Sequence, residues 1–201
     1  MEVTLQAGEV LVIPPYWWHH VRTLEPSASV NMWSLTPEFV AMEEIYRKPL
    51  PFEVEWSLTS KIDALRVWIH CLLSTLSKPA ADLVKTTLPV IGTESSMLLK
   101  ELWRIRYQSV VEAGQLILPR EEVFNMQQAC ASPLDQVYQR VPLGKLKQGL
   151  AHVHPTFFAM REMLAIQKVC AFNYIEHVVE MVVGASAVAP FFSACSNQFR
   201  K

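Results

Sequence analysis

Residues 5–33 read LQAGEVLVIPPYWWHHVRTLEPSASVNMW, and this stretch decides which fold the sequence predicts. A four-residue apolar run at 10–13 has a glycine shortly before it and two prolines after it, which is typical of a buried strand. Apolar and polar residues alternate at 21–24, and a Glu-Pro-Ser turn separates this segment from the next predicted strand, 28–35. We therefore expect three short strands in the first 35 residues.

The predicted strands would bring several polar and aromatic side chains into one cavity. Alternate residues of a strand share a face, so His19 lies on the same side as Val21 and Thr23. On the third strand Asn31 and Trp33 share a face by the same rule. A histidine at the mouth of one strand and an amide on its hairpin partner can then point into the same space.

The motifs GEVLVIPPYWWHHV and SVNMW resemble the last three core strands of a Jumonji-C (JmjC) domain. That domain is a cupin-like double-stranded β-helix, and its active members bind Fe(II) and 2-oxoglutarate. The pattern is most similar to the hypoxia-inducible-factor asparaginyl hydroxylase group. The resemblance implies that His19 is an iron ligand, that Asn31 lies beside 2-oxoglutarate, and that Trp33 forms a wall of the pocket. His20 would face away from the metal.

The sequence lacks the other ligands that such an iron centre needs. Non-haem Fe(II) oxygenases use two histidines and one carboxylate, and this family takes two of the three from an upstream His-x-Asp/Glu motif. The remaining histidines do not form that motif: we expect a surface loop for His152 and His154, and solvated or core positions on helices for His70 and His177. One histidine cannot hold iron in a site that needs three protein ligands. We therefore expect this chain to be the C-terminal part of an oxygenase and to be inactive alone.

Length and composition indicate one domain with a sizeable core, and at most a small second unit. Of the 201 residues, 51% are hydrophobic and 18% are charged, a balance that disordered tails do not have. The formal net charge of −1, without a basic run, argues against a nucleic-acid partner. We find no secretory signal, and the most apolar tract, 178–192, is too short for a membrane span.

The cysteines indicate an intracellular protein of the cytoplasm or nucleus. They are widely spaced and include no Cys-x-x-Cys pair, so we expect reduced, mostly buried thiols. The four are Cys71, Cys130, Cys170 and Cys195.

Beyond residue 36 the patterns become helical. Thr36-Pro37 is typical of a helix start, Ser60 can cap a second helix, and Gly114 and Gly184 are typical of helix ends. The turn expected at 141–144 precedes a last long helix that opens at His154-Pro155. The expected helices are 39–47, 59–76, 80–88, 93–113, two that begin after Pro119 and Pro133, and 157–183.

The sequence therefore predicts an α+β protein in two parts. Residues 1–36 would form the C-terminal strands of the double-stranded β-helix, and residues 37–201 would form a mostly α-helical region. Three strands of a barrel leave an open edge and an apolar face. We expect this segment to be poorly ordered, covered by the helices or paired with a second copy.

Two classes of function are consistent with these patterns. The first, by resemblance, is a dioxygenase that uses Fe(II) and 2-oxoglutarate to hydroxylate or demethylate a protein substrate. The alternative is a non-catalytic helical scaffold or dimerisation module that carries a vestigial cupin segment. The resemblance also implies a homodimer formed through the helical tail, and whether the chain alone is an enzyme stays open.

Overall fold

A computed structural model describes residues 2–14, 19–50, 52–76 and 93–196, and within them every regular element is helical. The α-helices are α1 Pro37–Tyr46, α2 Leu58–Thr75, α3 Thr93–Trp103, α4 Ser109–Glu112, α5 Arg120–Ala129, α6 Leu134–Arg140, α7 Leu143–Ala159, α8 Leu164–Val183 and α9 Val188–Ser196. A π-helical segment, Arg104–Gln108, joins α3 to α4, and a short 3-10 turn, Ala185–Ala187, joins α8 to α9.

The predicted α+β fold is wrong for the described residues, because none of residues 2–14 or 19–35 lies in a strand. This segment is irregular and exposed, with one turn in which Glu9 N–H donates to the Gln6 carbonyl at 3.1 Å. The helices do not cover it, since Val10 is 86% exposed. A strand needs a neighbouring strand to receive its hydrogen bonds, and no described residue supplies one.

Helix α2 lies at the centre of the helical region. Nearly every residue from 62 to 76 is buried, because the helix packs against α3, α6, α7 and α8, and the buried residues include the polar side chains of Arg66 and His70. Trp68 is fully buried and meets Tyr174 edge-on, with ring centroids 5.6 Å apart. The helix begins earlier than predicted, since the Ser57 hydroxyl, and not Ser60, accepts the N-terminal hydrogen bond.

The start of α1 confirms the prediction from Thr36-Pro37. The Thr36 hydroxyl accepts from the Phe39 N–H at 3.2 Å, and proline occupies the first helical position. Met42 and Ile45 are buried against the core and fix the inward face of this helix.

The helix ends predicted at two glycines and the helix starts predicted after two prolines are also confirmed. Gly114 and Gly184 have φ values of +69° and +83°, a conformation that glycine adopts without the penalty other residues face. Helices α5 and α6 begin directly after Pro119 and Pro133. The helix expected over 80–88 falls outside the described residues.

The chain bends at Val141 and Pro142, between α6 and α7, but the turn predicted over 141–144 does not extend to Leu143. The prediction of a helix that opens at His154-Pro155 is wrong. Helix α7 runs from Leu143 to Ala159 with Pro155 inside it. A proline there removes one backbone hydrogen bond and costs about 3 kcal/mol in a helix interior. An apolar stripe at helical spacing buries this face against the core and offsets that cost: Leu146, Leu150, Val153 and Phe157.

The expectation that all cysteines are reduced is wrong for two of them. Cys130, at the end of α5, and Cys195, on α9, form a disulfide with a Cα–Cα distance of 5.4 Å. The two helices lie side by side, which brings the two residues together. Cys71 remains a thiol, and burial raises its pKa to about 12.

No helix in the described residues is by itself long and apolar enough to cross a membrane. Leu164–Val183 and Ala185–Ser196 reach that length and composition only as a pair bent by 119°.

Candidate functional site

The residues predicted to surround iron lie in the irregular N-terminal segment. His19, Asn31 and Trp33 are exposed, and Trp33 has 83% of its surface open to solvent. His20 is exposed as well. Because no strand forms here, the alternation that would aim these side chains into one cavity does not apply, and their roles stay a prediction.

The described residues do not fit a ferrous centre. Nowhere in 2–14, 19–50, 52–76 or 93–196 do three or more His, Cys, Asp or Glu side chains come together as metal ligands. A site of two histidines and a carboxylate that uses His19 would need two ligands from outside these residues.

His154 is part of a buried cap on the end of helix α2, and the predicted surface position is wrong for it. Its Nε2 lies 2.9 Å from the Thr75 carbonyl and donates to it, since a carbonyl can only accept. The Gln167 Nε2 donates to the carbonyls of Leu76 and Phe157, both at 2.9 Å. These contacts satisfy carbonyls that the end of a helix leaves without partners, so their role is structural.

His70 and Ser95 form a buried pair of the kind found in some nucleophilic sites. The His70 Nδ1 lies 3.0 Å from the Ser95 hydroxyl. Burial, with a smaller effect of Arg66, lowers the pKa of His70 to about 4. Both side chains are buried, and the adjoining cavity, about 10 Å³, has room for one water at most. A substrate cannot enter, so this pair links α2 to α3.

One larger cleft opens beside the π-helical segment, with a volume of about 480 Å³. Its walls come from the loop before α5 and from the junction of α8 and α9. The polar groups at its edge are Tyr107, Glu176, Glu180 and Ser186. Sequence analysis missed this site, because Tyr107 and Glu176 are 69 positions apart and no motif joins them.

The cleft has a fixed carboxylate at its edge. The Tyr107 hydroxyl donates to Glu176 Oε1 at 2.5 Å, and Arg106 Nη1 lies 3.7 Å from Glu176 Oε2. Arg106 also donates to Asn173 Oδ1 at 2.6 Å. Burial, followed by the hydrogen bond to Glu176, raises the pKa of Tyr107 far above its usual value. Tyr107 therefore stays protonated and remains a donor at any physiological pH.

Comparison with known proteins concerns the N-terminal segment. Residues 1–35 match the family model of the cupin-like domain. The chain is 61% identical over 33 residues to "JmjC domain-containing protein C" of Dictyostelium discoideum, and 54% identical over 33 residues to "Lysine-specific demethylase JMJ30" of Arabidopsis thaliana. It is 50% identical over 32 residues to "Jumonji C domain-containing protein 5" of Drosophila melanogaster.

Each of these matches covers 16% of this chain and 8% of the relative. No solved structure matches the chain. The comparisons support the resemblance to JmjC proteins, which generally depend on Fe(II) and 2-oxoglutarate, but do not single out the asparaginyl hydroxylase group. Residues 1–35 are therefore similar to a cupin-like segment of JmjC proteins.

Proposed function

We propose that residues 1–35 act as a barrel segment of a JmjC-type oxygenase, and that the helices from Pro37 to Ser196 form the scaffold that carries it. The identity of 61% over 33 residues to a JmjC protein is the observation that carries this proposal. Those relatives are much longer than the match, so the barrel would be completed by residues outside the ones described here.

The exposure of the segment supports the proposal. Val10, Val30 and Met32 are each more than four-fifths exposed, although all three are apolar. Exposed apolar groups of this extent mark a surface that another structure covers. Pairing with neighbouring barrel strands would bury them and would supply the missing hydrogen-bond partners.

The proposed iron centre is shared with residues outside those described. His19 would supply one ligand, Asn31 would lie beside the cosubstrate, and Trp33 would line the pocket once the barrel is complete. Because the described residues hold no group of three possible metal ligands, we propose that they neither bind iron nor turn over 2-oxoglutarate unaided.

The proposed substrate and the proposed dimer are taken from the resemblance to JmjC proteins. A protein side chain, hydroxylated or demethylated, is the proposed substrate, and the asparaginyl hydroxylase group is the proposed type. The proposed setting is intracellular, and no nucleic acid or membrane is involved. Dimerisation would use the exposed start of α8, where Leu164 is more than half exposed. Phe172, Ile175 and Val179, which also line this helix, are buried and belong to the core.

A chimera tests the proposal. The matching segment of the Dictyostelium relative is replaced by that of this chain, and succinate production is compared with that of the unmodified relative. We expect the chimera to keep most of the activity and the His19→Ala chimera to lose it. The matched control is His20→Ala, which should retain activity because that ring is predicted to face away from the metal. A folded chimera without activity, or one indifferent to His19→Ala, would contradict the proposal.

A non-catalytic helical scaffold is the second candidate, and the position of the core favours it. Among the described residues, the buried apolar cluster extends from Met42 to Cys195 and includes no residue of 2–14 or 19–35. The helices therefore hold together without the N-terminal segment. If the chimera proves inactive while the helical region folds and self-associates, this second function replaces the first.

A further inference from the structure

The 480 Å³ cleft has the size and lining of a small-molecule site. Volumes of about 300–1,000 Å³, with mostly apolar walls and a few convergent polar groups, are typical of such sites. Its apolar wall is formed by Leu116, Ile117, Leu118, Val188 and Pro190. None of the described residues of the N-terminal segment, 2–14 and 19–35, lines this cleft, so the inference does not depend on the function proposed above.

The backbone around the cleft is held in place. The π-helical segment Arg104–Gln108 brings two consecutive side chains, Arg106 and Tyr107, onto one carboxylate of α8. Such π segments occur frequently at functional sites. At the start of the loop that lines the cleft, the N–H groups of Gln115 and Leu116 both donate to the Val110 carbonyl, at 2.9 and 3.1 Å. The cleft is therefore preformed, which lowers the entropic cost of binding.

The charge at the rim is negative. Glu176 is neutralised by Arg106, whereas Glu180, one helical turn further along α8, makes no side-chain hydrogen bond or ion pair with another described residue. Glu180 lines the cleft and is exposed, so its carboxylate can approach a ligand without prior loss of a protein partner. A cation is the complement to this rim.

We propose that this cleft binds a small organic amine: a protonated ammonium group lies against Glu180, and an apolar body lies on Leu116, Val188 and Pro190. Both oxygens of the Glu176 carboxylate already have partners, the Tyr107 hydroxyl on Oε1 and Arg106 near Oε2. Glu180 therefore provides the charge selectivity, and the apolar wall provides affinity that does not depend on charge.

Matched probes separate the two contributions. Binding of 4-phenylbutylamine and of its neutral analogue 4-phenylbutanol to the whole chain is followed by calorimetry and by amide chemical shifts. We expect the amine to bind about tenfold more tightly than the alcohol, the effect of one partly solvated ion pair. Shifts should concentrate at Ser186 and Ala189, which line the cleft.

Two variants and one control then assign the residues. Glu180→Gln should reduce amine affinity about tenfold and leave alcohol affinity unchanged, whereas Ile117→Ser should weaken both. Glu94→Gln removes the same charge from an exposed position on α3, outside the lining of the cleft, and should change neither. Equal affinity for amine and alcohol, no binding at millimolar probe, or shifts elsewhere would overturn the proposal.

Discussion

Replacing Gln167 by methionine tests how the end of the central helix is held. The Gln167 side chain is buried and donates to two carbonyls at 2.9 Å, those of Leu76 and Phe157. Methionine keeps the length and volume of glutamine but has no donor. The substitution therefore removes hydrogen bonds with little change in packing.

The expected loss in the free energy of unfolding depends on which hydrogen-bond donors each carbonyl retains after the substitution. The Phe157 carbonyl still accepts from the Met160 N–H at 3.1 Å, whereas no other described residue donates to the Leu76 carbonyl, so the larger penalty falls on Leu76. A buried polar group left without a partner costs about 1–3 kcal/mol, so Gln167→Met should lower the free energy of unfolding by about 2 kcal/mol.

Urea denaturation followed by helical circular dichroism measures the effect of Gln167→Met. The matched control is Gln148→Met on the exposed face of α7, which should change stability by less than about 0.5 kcal/mol. If Gln167→Met changes stability no more than the control does, the proposed cap on α2 is refuted.

Three further predictions concern the disulfide, a buried histidine and the N-terminal segment. Cys130→Ser opens a loop of 65 residues and should cost up to about 4 kcal/mol by urea denaturation, and reductant should destabilise only the parent protein. The pKa of His70 is lowered to about 4, so the unfolded chain binds a proton at higher pH than the folded one. Stability should therefore fall between about pH 6.5 and pH 4, by up to about 3 kcal/mol, and His70→Gln should flatten this dependence in unfolding measured across that range. Removing residues 1–35 should leave the melting temperature of the helices unchanged by calorimetry, since the core contains none of the described residues of that segment; a marked drop would mean that the segment packs on the helices.

Features of the helical region that depend on near neighbours could be predicted from the sequence. The Thr36 cap and the glycine ends at Gly114 and Gly184 involve residues only a few positions apart. The prediction that a helix opens at Pro155 is wrong because a helix interior tolerates proline when packing against distant residues outweighs its cost. The sequence around Pro155 does not show that packing.

The sequence could not show that the predicted strands are absent or that the cleft is present, and the physical reason is the same in both cases. A strand is stabilised by a partner that can lie anywhere in the sequence, and the apolar run at 10–13 does not reveal whether that partner is present. The contact between Tyr107 and Glu176 joins positions 69 apart, through a π-helical segment that no spacing indicates. The likeness of residues 1–35 to JmjC proteins was visible because it lies in consecutive residues.

The most direct test of the oxygenase assignment is the amount of ferrous iron bound by the purified chimera under anaerobic conditions. The account predicts close to one iron per chain with His19 present, the same with His20→Ala, and almost none with His19→Ala. Equal iron in the His19→Ala chimera would contradict it, and so would stoichiometric iron bound by the present chain alone.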